Sequence, residues 1–125
     1  MVNMTTEPDL KEGFKEFLEG GLDEENKERY KLAVTAYFKA ITQVADLIIL
    51  RKSGLTPNNH NERFRLLEKG FPLIYKSIDN VFKTYQDTYS MPISKESCSL
   101  VKNEIKKIIT NAGLSQEFKE IIAKI

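Results

Sequence analysis

Between Asp23 and Arg51, apolar residues recur at steps of three and four: Tyr30, Ala33, Val34, Tyr37, Ala40, Ile41, Val44, Ala45 and Ile48. That is the period of one helical face. Leu32, Phe38, Leu47, Ile49 and Leu50 add apolar side chains off that face. A helix so widely apolar has to be covered on more than one side, which predicts the central helix of a bundle.

Shorter stripes flank it. Leu10, Phe14, Phe17 and Leu18 mark a short first helix, for which Gly20 and Gly21 offer a stop. Asp23 is placed to cap the long helix, with Glu24 and Glu25 at its positive end, and Gly54 closes it. Asn58 or Asn59 caps a third helix carrying Phe64 and Leu67, which Gly70 interrupts. Pro72 suits the first turn of a fourth, with Phe71, Ile74, Tyr75, Ile78, Phe82, Tyr85 and Tyr89 as its stripe. Ser94 caps a fifth, with Cys98, Val101, Ile105, Ile108 and Ala112 as its stripe up to Gly113. Ser115 caps a short last one bearing Phe118, Ile121, Ile122 and Ile125. No run of alternating β-branched residues competes. The expectation is an all-α, up-and-down antiparallel bundle of four main helices plus short terminal ones. Residues 1–8 form a flexible terminus and residues 9–125 a single domain. Tyr37, Ile41, Val44, Ile78, Phe82, Val101 and Ile105 are expected to share one core.

Composition narrows the function classes. The 125 residues are enough for one domain that folds without disulfides or metal. Nineteen basic against eighteen acidic side chains give a net charge of +1, which argues against a dominant nucleic-acid footprint but leaves room for a local patch. The single cysteine, Cys98, has no internal partner, which suits a reducing, cytoplasmic compartment. The N-terminus lacks a basic region followed by an apolar run. No stretch reaches the ~18 consecutive apolar residues of a membrane span, so no membrane association is expected.

Candidate chemistry is sparse. His60 is the only histidine. It serves either as an acid–base group at the mouth of the bundle or as a polar residue in the first turn of a helix. One Cys and one His do not supply a zinc site without several carboxylates, and HExxH and CxxC are absent, so no metal is expected. GxGxxG and GxxxxGK[ST] are absent too, and no cofactor is implied. Cys98 lies on an apolar face, where a thiol keeps a high pKa and packs instead of attacking. Arg51, Lys52, Arg63 and Arg65 lie around the connection at His60 and would make an anion site if they cluster. Lys102, Lys106 and Lys107 form a second basic group, but Glu62, Glu68 and Glu104 are interspersed, which makes these charges a solvated mixed-charge face instead. Asp46 stands out among Val44, Ala45, Leu47 and Ile48. A buried carboxylate has to be paired or neutral, so Asp46 either meets a nearby Arg, Tyr or Asn or lines a pocket.

The segment AYFKAITQVADLIILRKSGLTPNNHNERFRLLE resembles the HEPN superfamily, the higher eukaryotes and prokaryotes nucleotide-binding domain, in its archaeal forms. The resemblance runs through Lys39, Ala40 and Asp46, the Pro57-x-x-His60 connection, Leu66 and Leu67, and the helix ending in Tyr85 and Tyr89. It covers about Glu25 to Ile109. It implies a four-helix bundle, often dimeric. It also implies either ribonuclease activity, often as a toxin paired with a small nucleotidyltransferase-like antitoxin, or a non-catalytic binding role. The ribonuclease members carry an Arg followed four to six residues later by a His near the start of the last main helix. Here TYQDTYSMPISKESC, from Thr84 to Cys98, holds neither. The expectation is therefore a non-catalytic, homodimeric bundle that binds a protein partner, a nucleotide or RNA, with Asp46, Arg51, His60, Arg63 and Arg65 as candidate ligand residues. The alternatives are a ribonuclease toxin with a divergent site at His60, Arg63 and Arg65, and a purely structural helical adaptor.

Overall fold

The computed structural model describes residues 5–125. It contains α1 (Glu7–Asn26), α2 (Tyr30–Ser53), α3 (His60–Gly70), α4 (Pro72–Asp87), α5 (Lys95–Asn111) and α6 (Lys119–Ile122), and no strand among the described residues. The fold is an all-α bundle. α2 is its centre and packs against α1, α3, α4 and α5. Its buried residues run all the way round the helix, from Ala33 and Val34 to Ile48 and Ile49. α2 is long and apolar enough by composition to cross a membrane, but 72% of that stretch is buried inside the bundle. Its apolarity is accounted for by four neighbouring helices.

Thr6 opens α1 with a capping box. Its side chain accepts from the Asp9 N–H, and the Asp9 carboxylate accepts from the Thr6 N–H. Part of the terminus expected to be flexible, residues 1–4, lies outside the described residues, and Glu7 and Pro8 are already helical. The short first helix is corrected: α1 has 20 residues and runs straight through Gly20 and Gly21. Gly21 is buried against the Tyr37 ring, and a methyl there would overlap it. The close approach of α1 to α2 explains this glycine, and tertiary packing outweighs its poor helix propensity. Asp23 is consequently inside α1 and caps nothing. The chain turns at Glu28, which takes a left-handed φ of 61°, and α2 starts at Tyr30 with no side-chain cap.

The remaining boundaries follow the expected chemistry. Gly54 ends α2 at φ 80°. Asn59 caps α3 by accepting from the Glu62 N–H at 2.9 Å. Pro72 opens α4, and Ser94 caps α5 by accepting from the Ser97 N–H at 3.2 Å. Ser115 is not a cap, because α6 starts after Phe118. Of the expected core, Tyr37, Ile41, Val44, Ile78, Val101 and Ile105 are fully buried. Phe82 is only half-buried at the rim, and Tyr89, at the end of the expected stripe, is 77% exposed. The C-terminal tail folds back on α1, with Phe118 edge-on to Phe14 at 4.9 Å. The apolar side chains of Phe118 and Ile121 are therefore covered by the chain itself. One polar tie crosses three helices: the Tyr37 hydroxyl donates to Glu25 Oε1 at 2.7 Å, and Lys102 Nζ donates to Glu25 Oε2 at 3.0 Å.

Candidate functional site

The Asn59 cap sets His60 at the first position of α3, and Arg63, three residues on, shares its face. That face turns toward Asp46 of α2. Arg63 Nε donates to Asp46 Oδ1 at 2.6 Å and Arg63 Nη2 to Asp46 Oδ2 at 3.0 Å. This is the planar two-bond pairing that suits guanidinium to carboxylate. Both residues are more than nine-tenths buried. Asp46 thus has the arginine partner, which explains a carboxylate in an apolar helix. The third arm of the guanidinium, Nη1, lies 2.6 Å from His60 Nδ1.

This last contact fixes the chemistry of the imidazole. Arginine is a donor only, so Nδ1 accepts and the ring proton sits on Nε2. Burial, and then the positive charge of Arg63, hold the His60 pKa below its usual value, while Asp46 pulls weakly the other way. His60 is therefore neutral near pH 7, with its Nδ1 lone pair engaged and Nε2–H as its remaining polar group. As a whole residue His60 is exposed, with its Nδ1 side part-buried against Arg63.

Aromatic side chains surround it. The His60 ring lies 5.7 Å from Phe38, 6.2 Å from Phe64 and 6.3 Å from Phe82. Phe38 stacks on Tyr85 at 4.3 Å, with an interplanar angle of 15°. Tyr85 meets Tyr89 edge-on at 5.8 Å, and their hydroxyls are 3.0 Å apart. The Tyr85 pKa is raised, first by that hydrogen bond and then by burial. The rings step from the buried Phe38 through half-buried Tyr85 to exposed Tyr89. Tyr85 and Tyr89 were legible as a helical pair at a spacing of four. Phe38 was legible only as an apolar residue off the main face of α2, and its place under His60 depends on the packing of α3.

Arg51 and Arg63 do not join in one anion site, because each is engaged by a different carboxylate. Arg51 is held by Glu7 of α1 and, through two bonds of 2.8 Å, by Glu117 before α6. Lys11 joins the same group, 2.9 Å from Glu117. The guanidinium of Arg51 and then the Lys11 ammonium depress the Glu117 pKa to about 2. Arg51 is thus a clamp between the two ends of the chain. It is far in purpose from Arg63, whose charge is taken up by Asp46. Of the three arginines, Arg65, which is exposed, is the one with no ion pair among the described residues. The second basic group is also partly engaged, Lys102 by Glu25 and Lys107 by Glu104. Cys98 is buried with its Sγ 4.0 Å from the Tyr30 carbonyl oxygen. Burial, and next the Glu25 charge, push its thiol up to about 11.

Arg63 therefore serves as a positioning residue, and the polar groups left without a charged partner here are the His60 Nε2–H and the two tyrosine hydroxyls, beside stacked aromatic rings. Among the described residues, no group of three His, Cys, Asp or Glu side chains is placed to hold a metal ion. Compared with known proteins, the chain matches no family model, no curated protein and no solved structure.

Proposed function

We propose that this bundle is a non-catalytic module that binds a nucleobase, carried by a nucleotide or by single-stranded RNA, on the aromatic edge formed by His60, Tyr85 and Tyr89. The observation that carries this reading is the Arg63–His60 contact. It turns the only imidazole into a fixed hydrogen-bond donor, presented among rings on which a planar base can stack. The same contact argues against cleavage. A general base needs a free lone pair and a general acid a labile proton near the working pH. The Nδ1 lone pair of His60 is occupied, and Arg63 opposes its protonation. Of the three candidate phosphate contacts, Arg51 and Arg63 are neutralised by carboxylates and Arg65 alone has no ion pair among the described residues, so affinity rests chiefly on stacking, and its dependence on salt is shallow.

The test is fluorescence anisotropy with a labelled single-stranded RNA octamer and, separately, with a labelled adenine nucleotide. Tyr89→Ala is expected to weaken binding by ~5- to 150-fold, the loss from one stacked base. Binding of both probes identifies the base as the recognised unit, and binding of the octamer alone identifies RNA. No binding of either probe at high micromolar protein sinks the reading. Cleavage of the octamer that His60→Ala abolishes overturns its non-catalytic part.

A further inference from the structure

Past Arg63, α3 continues along α2 and leaves a cleft where the two helices end. Ile49, Leu66 and Phe71 wall it, and its volume is about 180 Å³. Ser53 lines it too but offers no free polar group. Its hydroxyl donates to the Ile49 carbonyl at 2.9 Å and accepts from the Leu55 N–H at 3.3 Å. Lys52 of α2 and Lys69 of α3 complete the lining. Both are exposed, and neither has an ion pair among the described residues. Gly70 also borders the cleft. Its φ is not left-handed, and a Cβ built on it meets nothing within 4 Å. Neither backbone conformation nor packing within the chain calls for glycine there, and glycine is a poor helix residue. A lysine in the last turn faces the negative end of its helix, which accounts for each charge separately. It does not account for an apolar cleft left open beside two such charges.

We infer that this cleft binds a small amphiphilic carboxylate, its apolar body against Ile49, Leu66 and Phe71 and its carboxylate on Lys52 and Lys69. Size sets the body. An apolar cavity of about 150 Å³ holds benzene, whereas drug-sized ligands occupy about 300 Å³ or more. At about 180 Å³ the cleft suits a short aliphatic chain or one phenyl ring and is too small for a nucleotide. Charge sets the head. Two unpaired ammoniums repel a cation and give a carboxylate charge-assisted hydrogen bonds. With the Ser53 hydroxyl engaged by its own backbone, the apolar walls hold no partner for a second polar group, so the ligand is polar at one end only. Gly70 fits the same reading, because a side chain there would take up the ligand's space. His60 and Gly70 are the two ends of α3, about 15 Å apart. The cleft is therefore separate from the aromatic edge, and neither site depends on the other.

The test titrates hexanoate and phenylacetate into the isotope-labelled full chain and follows backbone amide shifts. Both probes are expected to move the Ser53, Gly70 and Phe71 amides saturably. The dissociation constant is expected to be on the order of 1 mM, as suits ligands of about eight to ten non-hydrogen atoms. Acetate, which lacks the body, and hexylamine, which reverses the head, are expected to leave those amides in place. Lys52→Glu/Lys69→Glu is expected to weaken binding roughly tenfold or more, and Gly70→Leu to abolish it by filling the cleft. Urea unfolding of each variant checks that the bundle is intact. Both lysines are exposed, so the charge reversal tests the site even if Gly70→Leu fails to fold. No shift with either probe at ~10 mM, ten times the expected constant, overturns the inference. So does hexylamine binding as well as hexanoate, or binding indifferent to the lysine reversal. Tighter binding of the peptide acetyl-Glu-Phe-Glu-amide than of phenylacetate reassigns the cleft to an acidic peptide segment and overturns the small-molecule assignment.

Discussion

Arg63 of α3 lies in plane against Asp46 of α2, two hydrogen bonds of 2.6 and 3.0 Å joining a pair that is almost wholly buried. Two charges taken out of water at this depth tolerate each other but not solitude. Asp46→Ala leaves a buried guanidinium unpaired and is expected to cost about 3–5 kcal/mol in urea unfolding. Replacing both with apolar residues, Asp46→Leu with Arg63→Met, is expected to recover most of that loss. A single Asp46→Ala variant within 1 kcal/mol of wild type would refute the pairing.

The imidazole reports on the same contact. Nitrogen chemical shifts of His60 are expected to show the Nε2–H tautomer and a pKa below the usual 6.5. The sign follows from linkage: the unfolded chain binds the proton more readily, so this contribution to stability is present above about pH 6.5 and is lost as pH falls through the lower folded value. In the neutral double variant Asp46→Asn/Arg63→Gln the pKa is expected to rise. An unchanged titration would show that Arg63 does not govern it.

Acid should loosen the join between the chain's two ends. Glu117 is held at about 2 by Arg51 and Lys11, against an ordinary carboxyl value of 4.5. Glu7 is lowered too, chiefly by its hydrogen bond from Arg51. Stability from this clamp is therefore complete above about pH 4.5 and declines as pH falls toward 2. Glu117→Gln is expected to cost only ~0.5–1 kcal/mol at neutral pH, because the clamp is part-exposed. It is also expected to flatten the acid limb of the stability curve. An acid limb identical to wild type would count against the clamp.

Gly21 offers a steric test of the α1–α2 packing. A methyl at this position overlaps the Tyr37 ring, and Tyr37 is fully buried with its hydroxyl on Glu25. Gly21→Ala is expected to destabilise by ~1–3 kcal/mol as an overpacked site, despite the better helix propensity of alanine. Stabilisation by the substitution, seen as a higher urea midpoint, would mean that α1 stands off from α2.

Cys98 is expected to be inert. Its thiol is buried and its pKa raised to about 11, so the thiolate fraction at neutral pH is negligible. A thiol reagent should label it slowly in native protein and at once in urea. Equal rates would place the sulfur at the surface.

The fold class was written in the chain because helical periodicity and caps are local properties. Asn59, Pro72, Ser94 and Gly54 act on backbone groups within a few residues of themselves, and each does in the structure what its identity implies. Gly20 and Gly21 look like a stop for the same local reason, yet the helix continues, because whether a glycine ends a helix or lets a neighbour approach depends on what stands opposite. Only α2 could supply that answer. The site follows the same division. Asp46 announced itself as a carboxylate that either had a partner or lined a pocket, since burial is legible from its apolar neighbours. Which arginine pairs with it was not legible, because Arg51 and Arg63 are both close in sequence and only the packing of α3 on α2 turns one of them inward. Arg51 instead meets Glu117, sixty-six residues away. Sequence by itself determined that this chain is a helical bundle with one histidine and an acid, Asp46, set among apolar neighbours. The tertiary structure decided that an arginine stands between them, because the partners of a charge are set by distances that no local pattern encodes.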